Sequence, residues 1–152
     1  MSHIATVAIE IRDLDALEAA CRELGATLHR NVKTYNWYGR SGGDAPIPEG
    51  MTVADLGKCD HVIRVPGVRY EVGVVKRGNG YTLAYDFFGH DTGTDSMRHD
   101  GQRLHRTFGD GCKKLAQHYG VQKATRAAQA RGHRVQRMVM TDGSIKLCIT
   151  GI

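Results

Sequence analysis

The stretch CDHVIRVPGVRYEVGVVKRGNGYTLAYDFFG, residues 59–89, holds three runs of β-forming residues separated by two sharp turns. Between the second and third runs stands Asn79-Gly80, two residues that tolerate the positive φ required at both central positions of a type I′ turn. A two-residue loop there pairs Lys76 with Leu83, Val74 with Tyr85 and Val72 with Phe87, gathering apolar side chains on one face. Upstream, Pro66-Gly67 sets a fixed φ before a residue free to take a positive one. That is the pattern of a type II turn, and it folds residues 61–65 back onto residues 69–77. The expectation is a three-stranded antiparallel meander at the centre of the sheet.

Outward from the meander, Ala5, Val7, Ile9 and Ile11 alternate with Thr6, Ala8 and Glu10, a strand with one buried face. Asp13 is placed to cap a helix whose apolar positions Leu14, Leu17, Cys21 and Leu24 fall on one stripe, and Gly25 ends it. Cys21 lies on that stripe and reads as a small core residue. A short strand over about residues 27–33 follows. Towards the C-terminus, residues 113–132 predict a helix, bent near Gly120, with Leu115 and Tyr119 inward and Val121, Ala124, Ala127 and Ala128 clustered. Gly132 stops it. Residues 134–141 and 144–149 then predict a hairpin across Asp142-Gly143, with Met138 opposite Leu147, Met140 opposite Ile145, and Cys148 on the other face with Arg137 and Lys146. Strand, helix, strand, meander, helix, hairpin is the order of an α+β domain: a mostly antiparallel sheet with two helical segments on one face, spanning residues 1–152 as a single domain. Each helix runs through glycine into a strand, which hints at two related halves.

A chain of 152 residues is long enough to bury about 70% of its unfolded surface around one core. Hydrophobic residues make up 41% and charged residues 24%. The start, Met1-Ser2-His3-Ile4, has no basic region followed by a long apolar run, so neither a signal peptide nor a membrane partner is expected. Cys21, Cys59, Cys112 and Cys148 are scattered, with no C-x-x-C pair, which favours a reducing, cytoplasmic setting. Charge is divided unevenly along the chain. Residues 1–100 carry 11 Lys/Arg against 14 Asp/Glu, a balance of −3, and residues 101–152 carry 10 against 2, a balance of +8. A basic third of that strength points to a polyanion or a phosphorylated small molecule.

Residues 35–58 lack periodicity and hold the single tryptophan beside glycines: Tyr35-Asn36-Trp37-Tyr38-Gly39-Arg40-Ser41-Gly42-Gly43-Asp44. Glycine backbone lets N–H groups approach an anion, and Arg40 adds a charged fork, so Trp37, Tyr38, Gly39, Arg40, Gly42 and Gly43 form a candidate phosphate-contacting loop. It is not a P-loop, since no Lys-Ser or Lys-Thr follows the glycines. Lys58 and His61, with Lys123 and Arg126 one turn apart on the C-terminal helix, complete the candidate ligand site. Residues 89–111 read as irregular and rich in His90, Asp91, Asp95, His99, Asp100, His105 and Asp110. No H-x-x-x-H or H-E-x-x-H places two ligands on one helical face, so no metal site is assigned and no cofactor is expected. In Cys59-Asp60-His61 the thiol and imidazole fall on one face of an extended strand, where a thiolate–imidazole pair is possible. No oxyanion hole or second catalytic motif accompanies them, so no catalytic residue is assigned and the expectation leans away from an enzyme.

The chain resembles, over nearly its whole length, the domain of unknown function typified by hypothetical chloroplast reading frame thirty-five. The resemblance rests on Met1-Ser2-His3, Lys33-Thr34-Tyr35, Trp37-Tyr38-Gly39-Arg40, Pro48-Glu49-Gly50, Asp55-Leu56-Gly57-Lys58-Cys59-Asp60-His61, Val65-Pro66-Gly67, Tyr70-Glu71-Val72-Gly73-Val74-Val75, Asp86-Phe87-Phe88-Gly89 and Asp142-Gly143-Ser144-Ile145. It implies kinship with proteins of cyanobacteria, plastids, other bacteria and bacteriophages, and no established activity. Residues 89–111 depart from the family pattern in length and in His and Asp content. The expected function is a non-enzymatic binding protein for an anionic, nucleotide-like small molecule, held between the Trp37 loop and the basic helix. A phage-encoded protein of this kind would sequester a nucleotide signal. Nucleic-acid binding is the first alternative. The second is a protein–protein accessory subunit with Tyr35, Trp37 and Tyr38 as its hot spot. Homo-oligomerisation stays open.

Overall fold

In the computed structural model, which describes residues 4–39, 46–87 and 100–151, the alternating N-terminal segment forms β1 (Ile4–Ile11). Asp13 then caps α1 (Leu14–Glu23), its carboxylate accepting the Ala16 N–H at 3.0 Å. Gly25, at φ 76°, closes the helix: its N–H reaches the Arg22 carbonyl (3.1 Å) and the Ala26 N–H reaches that of Cys21 (2.8 Å), the paired bonds of a Schellman motif. β2 (Thr27–Arg30) is shorter than predicted and stops at Asn31, which sits at φ 60°.

The meander is β3 (His61–Arg64), β4 (Val72–Arg77) and β5 (Gly80–Asp86). With β1 and β2 it makes a five-stranded antiparallel sheet in the order β1-β5-β4-β3-β2, so β4 is central. Pro66-Gly67 forms the expected turn, with Gly67 at φ 75° and the Val68 N–H bonded to the Val65 carbonyl at 3.1 Å. The second turn differs from expectation. Arg77 pairs with Gly80, Lys76 with Tyr81 and Val74 with Leu83, so the two-residue loop is Gly78-Asn79. Gly78 takes the positive φ (57°) and Asn79 does not, which fits a type II′ turn with glycine first. Gly80 serves a different need, because a Cβ there would lie 2.8 Å from the Ile11 carbonyl oxygen of β1. The pairing moves by two residues, so Val72, Val74, Leu83 and Tyr85 keep the shared face that the alternation predicted.

That face is covered by helices. Leu17 and Cys21 of α1, Leu104 and Phe108 of α2 (Asp100–Phe108), and Leu115 and Tyr119 of α3 (Lys113–Ala130) bury against Ile63, Val72, Val74, Leu83 and Tyr85. α2 corrects the reading of residues 89–111 as wholly irregular: Leu104 and Phe108 lie one turn apart and are both buried, and they suffice to seat a helix that is otherwise polar. Residues 88–99 lie outside the described part. A single turn, Asp110–Cys112, joins α2 to α3, which runs unbroken through Gly120. The Tyr119 hydroxyl accepts the N–H groups of Arg12 (3.1 Å) and Asp13 (3.2 Å), locking α3 to the start of α1.

The opposite face carries a smaller cluster of Ile4, Tyr35, Cys59, Val62 and Ala84, flanked by Trp37, Met51, Leu56 and Val75. Tyr35 lies across β4 at Gly73, where a Cβ would fall 2.4 Å from its ring. The class is therefore α+β, with α2 as a helix beyond the two expected.

β6 (Arg134–Val139) and β7 (Ile145–Thr150) form a separate two-stranded ribbon. Val139 pairs with Ile145 and Arg137 with Leu147. The Met140 N–H bonds to the Ser144 carbonyl (2.8 Å) and the Gly143 N–H to that of Met140 (3.0 Å), so the loop holds three residues with Gly143 at φ 84°. A two-residue loop was expected, and the added residue slips the register by one, which exchanges faces. Arg137 thus shares a face with Leu147, and Cys148 shares the other with Gln136, Met138 and Lys146. Gly25 and Gly132 (φ 79°) make similar junctions, but only β2 enters the main sheet. Among the described residues no helix is long and apolar enough to cross a membrane.

Candidate functional site

The sheet separates the residues that the sequence had grouped. Val62 and Ile63 are neighbours on β3, and Val62 belongs to the cluster with Tyr35 and Trp37 while Ile63 lies under the helices. Trp37 and Lys58 are therefore on one side of the sheet, and Lys123 and Arg126, exposed on α3, are on the other. The sheet thus lies between the Trp37 loop and the basic helix that the sequence reading sets around one ligand. Trp37 is half-buried, its ring seated on Gly57, where φ is 84° and a Cβ would meet Nε1 at 2.4 Å. Tyr38 is 51% exposed and Tyr35 only 3%, so the three aromatics do not form one exposed hot spot. Gly39 takes φ 89°, and Arg40, Gly42 and Gly43 lie outside the described residues.

Cys59 and His61 are also parted. Asp60, between them, bonds its N–H to the Val74 carbonyl and accepts the Lys76 N–H at 2.8 Å. Cys59 sits in the Tyr35 cluster, its thiol donating to the Val32 carbonyl (3.1 Å), while His61 stacks edge-on to Tyr81 (5.2 Å) and its Nδ1 accepts the Asn31 N–H (3.0 Å). Burial, reinforced by Asp60 and Glu71, pushes the Cys59 thiol up to about 12. A thiol held protonated at neutral pH is a poor nucleophile. Burial lowers the His61 pKa, keeping the ring neutral. The buried carboxylates serve the framework: Glu71 accepts the Asn36 N–H (2.8 Å) and the Arg64 guanidinium, and Asp100 accepts both the N–H (2.9 Å) and the guanidinium (3.2 Å) of Arg69. Among the described residues no three His, Cys, Asp or Glu side chains are placed to hold a metal ion.

Two basic surfaces remain. On the Trp37 side, a cavity of about 350 Å³ is lined by Lys58, Lys76 and Arg77 together with Asp55, Asp60 and Met51. Two carboxylates among three cations leave it weakly selective for anions. Asp55 is occupied in accepting the Thr52 N–H (2.7 Å) and hydroxyl (2.9 Å).

The other surface is the helix–ribbon unit, residues 113–151. It holds eight Lys/Arg against the single carboxylate of Asp142, and α3 has no acidic residue in its 18. Among the described residues only one of the eight cations, Arg137, is in an ion pair, at 2.9 Å from Glu23 of α1. Glu23 also accepts His118 (2.5 Å) and Gln122 of α3. Its partial burial raises the carboxyl pKa, but the hydrogen bonds from His118, Gln122 and Arg137 outweigh that and hold it below its ordinary value. The ribbon also carries four of the seven exposed large apolar side chains of the described structure: Met138 (45%), Val139 (71%), Met140 (43%) and Ile149 (48%). Composition had revealed the basic third. These apolar side chains divide between the two faces of the ribbon, Met138 on that of Lys146 and both Val139 and Ile149 on that of Arg137. No family model, curated protein or solved structure matches this chain.

Proposed function

We propose that this chain is a non-enzymatic binding protein whose partner is a nucleic acid, held electrostatically on the helix–ribbon surface. The observation that carries the reading is the lack of neutralisation: seven exposed cations of residues 113–151 have no carboxylate partner among the described residues. An open basic surface suits a polyanion, whereas a small phosphorylated ligand needs convergent donors in a cleft. Each phosphate neutralised adds about −0.9 to the slope of log K against log salt on duplex DNA, so four contacts give a slope of about −3.6. Binding of a labelled oligonucleotide across a salt series tests this. Lys123→Glu combined with Arg126→Glu should flatten the slope by about 2 and weaken binding at every sequence. No binding at low salt, or a flat slope, overturns the reading.

A nucleotide-like small molecule is the second reading, favoured by the cavity that Lys58, Lys76 and Arg77 line beside the Gly57 seat of Trp37. A nucleotide in that cavity should change Trp37 emission, and an oligonucleotide on the far side of the sheet should leave it unchanged.

A further inference from the structure

The ribbon has an inner and an outer face. Arg137 reaches Glu23, and the Gln117 amide donates to the Gly143 carbonyl at 3.1 Å, so the face of Arg137 and Leu147 is the one fastened towards α1 and α3, with Val139 and Ile149 exposed at its ends. Strand alternation then turns Arg134, Gln136 and Met138 of β6, with Lys146, Cys148 and Thr150 of β7, away from the helices. Apart from the partly covered Cys148, these residues are exposed.

That set has the chemistry of base readout. Arg and Lys pair with the O6 and N7 of guanine, Gln pairs with the N6 and N7 of adenine, and an apolar side chain such as Met138 packs on the thymine methyl. The dimensions agree: two strands about 4.8 Å apart, with their side chains, fill a major groove about 12 Å wide, and six residues extend about 20 Å along it. Neither strand carries an aromatic residue on which unpaired bases could stack, which disfavours single strands. The deep, narrow major groove of duplex RNA does not admit a ribbon. A second copy of this chain on the same face would set Arg134 and Lys146 against their own equivalents, a like-charge contact. Asp142, the lone carboxylate, is at the loop end and is satisfied locally by the Ser144 N–H (2.9 Å) and hydroxyl (2.6 Å).

We infer that the chain binds duplex DNA by laying the outer face of β6–β7 in the major groove, with Arg134, Gln136 and Lys146 at base edges. This rests on the nucleic-acid reading above and adds the form of nucleic acid and the reading residues. The test is fluorescence anisotropy at fixed salt with three probes of one sequence: duplex DNA, its single strand, and duplex RNA. Duplex DNA should bind at least tenfold tighter than either of the others. Arg134→Ala and Gln136→Ala should each weaken it about five- to hundredfold, with melting temperatures unchanged. Bound duplex should slow alkylation of Cys148. If both variants bind duplex DNA like wild type while Lys123→Glu with Arg126→Glu abolishes binding, the groove assignment falls and the polyanion reading stands. Equal affinity for the three probes overturns the assignment in the same way, and no binding to any probe overturns both. A concentration-dependent dimer that protects Cys148 without DNA assigns the face to a second copy instead.

Discussion

Glu23→Gln isolates the device that docks the ribbon. One carboxylate accepts from His118 and Gln122 of α3 and from Arg137 of β6, so the change cuts the link among α1, α3 and the ribbon in a single step. Exposed ion pairs contribute about 0.2–1 kcal/mol and hydrogen bonds to charged groups about 1.5–3 kcal/mol. With the Glu23 side chain 23% exposed, a total near 2 kcal/mol is expected for the linked contacts. The amide also turns a donor toward the donors of Gln122 and Arg137, so it cannot restore them. For a chain of this length 1 kcal/mol shifts the melting temperature by about 2–4 °C, giving a loss of about 4–8 °C at pH 7. The pH dependence fixes the sign. A carboxyl held below its ordinary 4.5 contributes stability that is fully present above that pH and lost as pH falls through the lowered folded value. The gap between wild type and variant should therefore be present at pH 7 and at about pH 5 and close in stronger acid. Thermal melts across a pH series read both features. A gap below 1 °C at pH 7, or one that does not close in strong acid, refutes the docking role.

Three other outcomes follow from the packing. Gly73→Ala drives a Cβ to 2.4 Å from the Tyr35 ring and should cost about 1–3 kcal/mol in urea unfolding, and a neutral result would show that Tyr35 is seated elsewhere. Burial raises the thiols of Cys21, Cys59 and Cys112 to about 12, so alkylation of the native protein at neutral pH should label Cys148 alone. Fast labelling of Cys59 would restore the thiolate–imidazole pair as a catalytic candidate. In hydrogen exchange, residues 72–75 and 83–85 on the central strands should open only globally, and the ribbon amides should exchange before them, because a two-stranded sheet is marginal by itself. Equal protection would contradict the independence of the two sheets.

What was legible in the sequence was what local chemistry decides. Asp13 and Gly25 bracket α1 because a carboxylate cap and a left-handed glycine act within one helical turn. Pro66-Gly67 is likewise self-sufficient. The errors lie where tertiary contacts choose between local options. Gly78-Asn79 and Asn79-Gly80 are both plausible hairpin turns, and the choice is made by β1, whose Ile11 carbonyl crowds Gly80 and requires it in the strand. α2 was hidden because its burial depends on just Leu104 and Phe108 within a polar segment. The grouping of the candidate site residues is decided at a higher level. Trp37 and Arg126 were joined on residue type alone, and no local rule states that a sheet runs between them. The feature that survived, the acid-free basic helix, is a property of composition and owes nothing to register.

Stability and recognition should separate between two ribbon variants. Arg137 belongs to the inner face and is held by Glu23, whereas Arg134, three positions earlier, lies outside and has no carboxylate partner among the described residues. Glu23→Gln weakens docking, so it affects DNA affinity only through the fraction of molecules whose ribbon is still docked, the apparent Kd rising as the inverse of that fraction. Where docking retains about 1.4 kcal/mol, some nine molecules in ten are competent and Kd changes by only about a tenth. Arg134→Ala breaks no side-chain hydrogen bond or ion pair among the described residues, yet it removes the base contact inferred for it. Its Kd should rise about five- to hundredfold while its melting temperature stays within 1 °C. Bound duplex should also return to Glu23→Gln much of its lost melting temperature, since a ligand at a hundred times its Kd adds about 2.7 kcal/mol to the folded state. Should Glu23→Gln lose as much affinity as Arg134→Ala, recognition depends on how the ribbon is seated rather than on its outer side chains, and the assignment of Arg134 to a base edge is wrong.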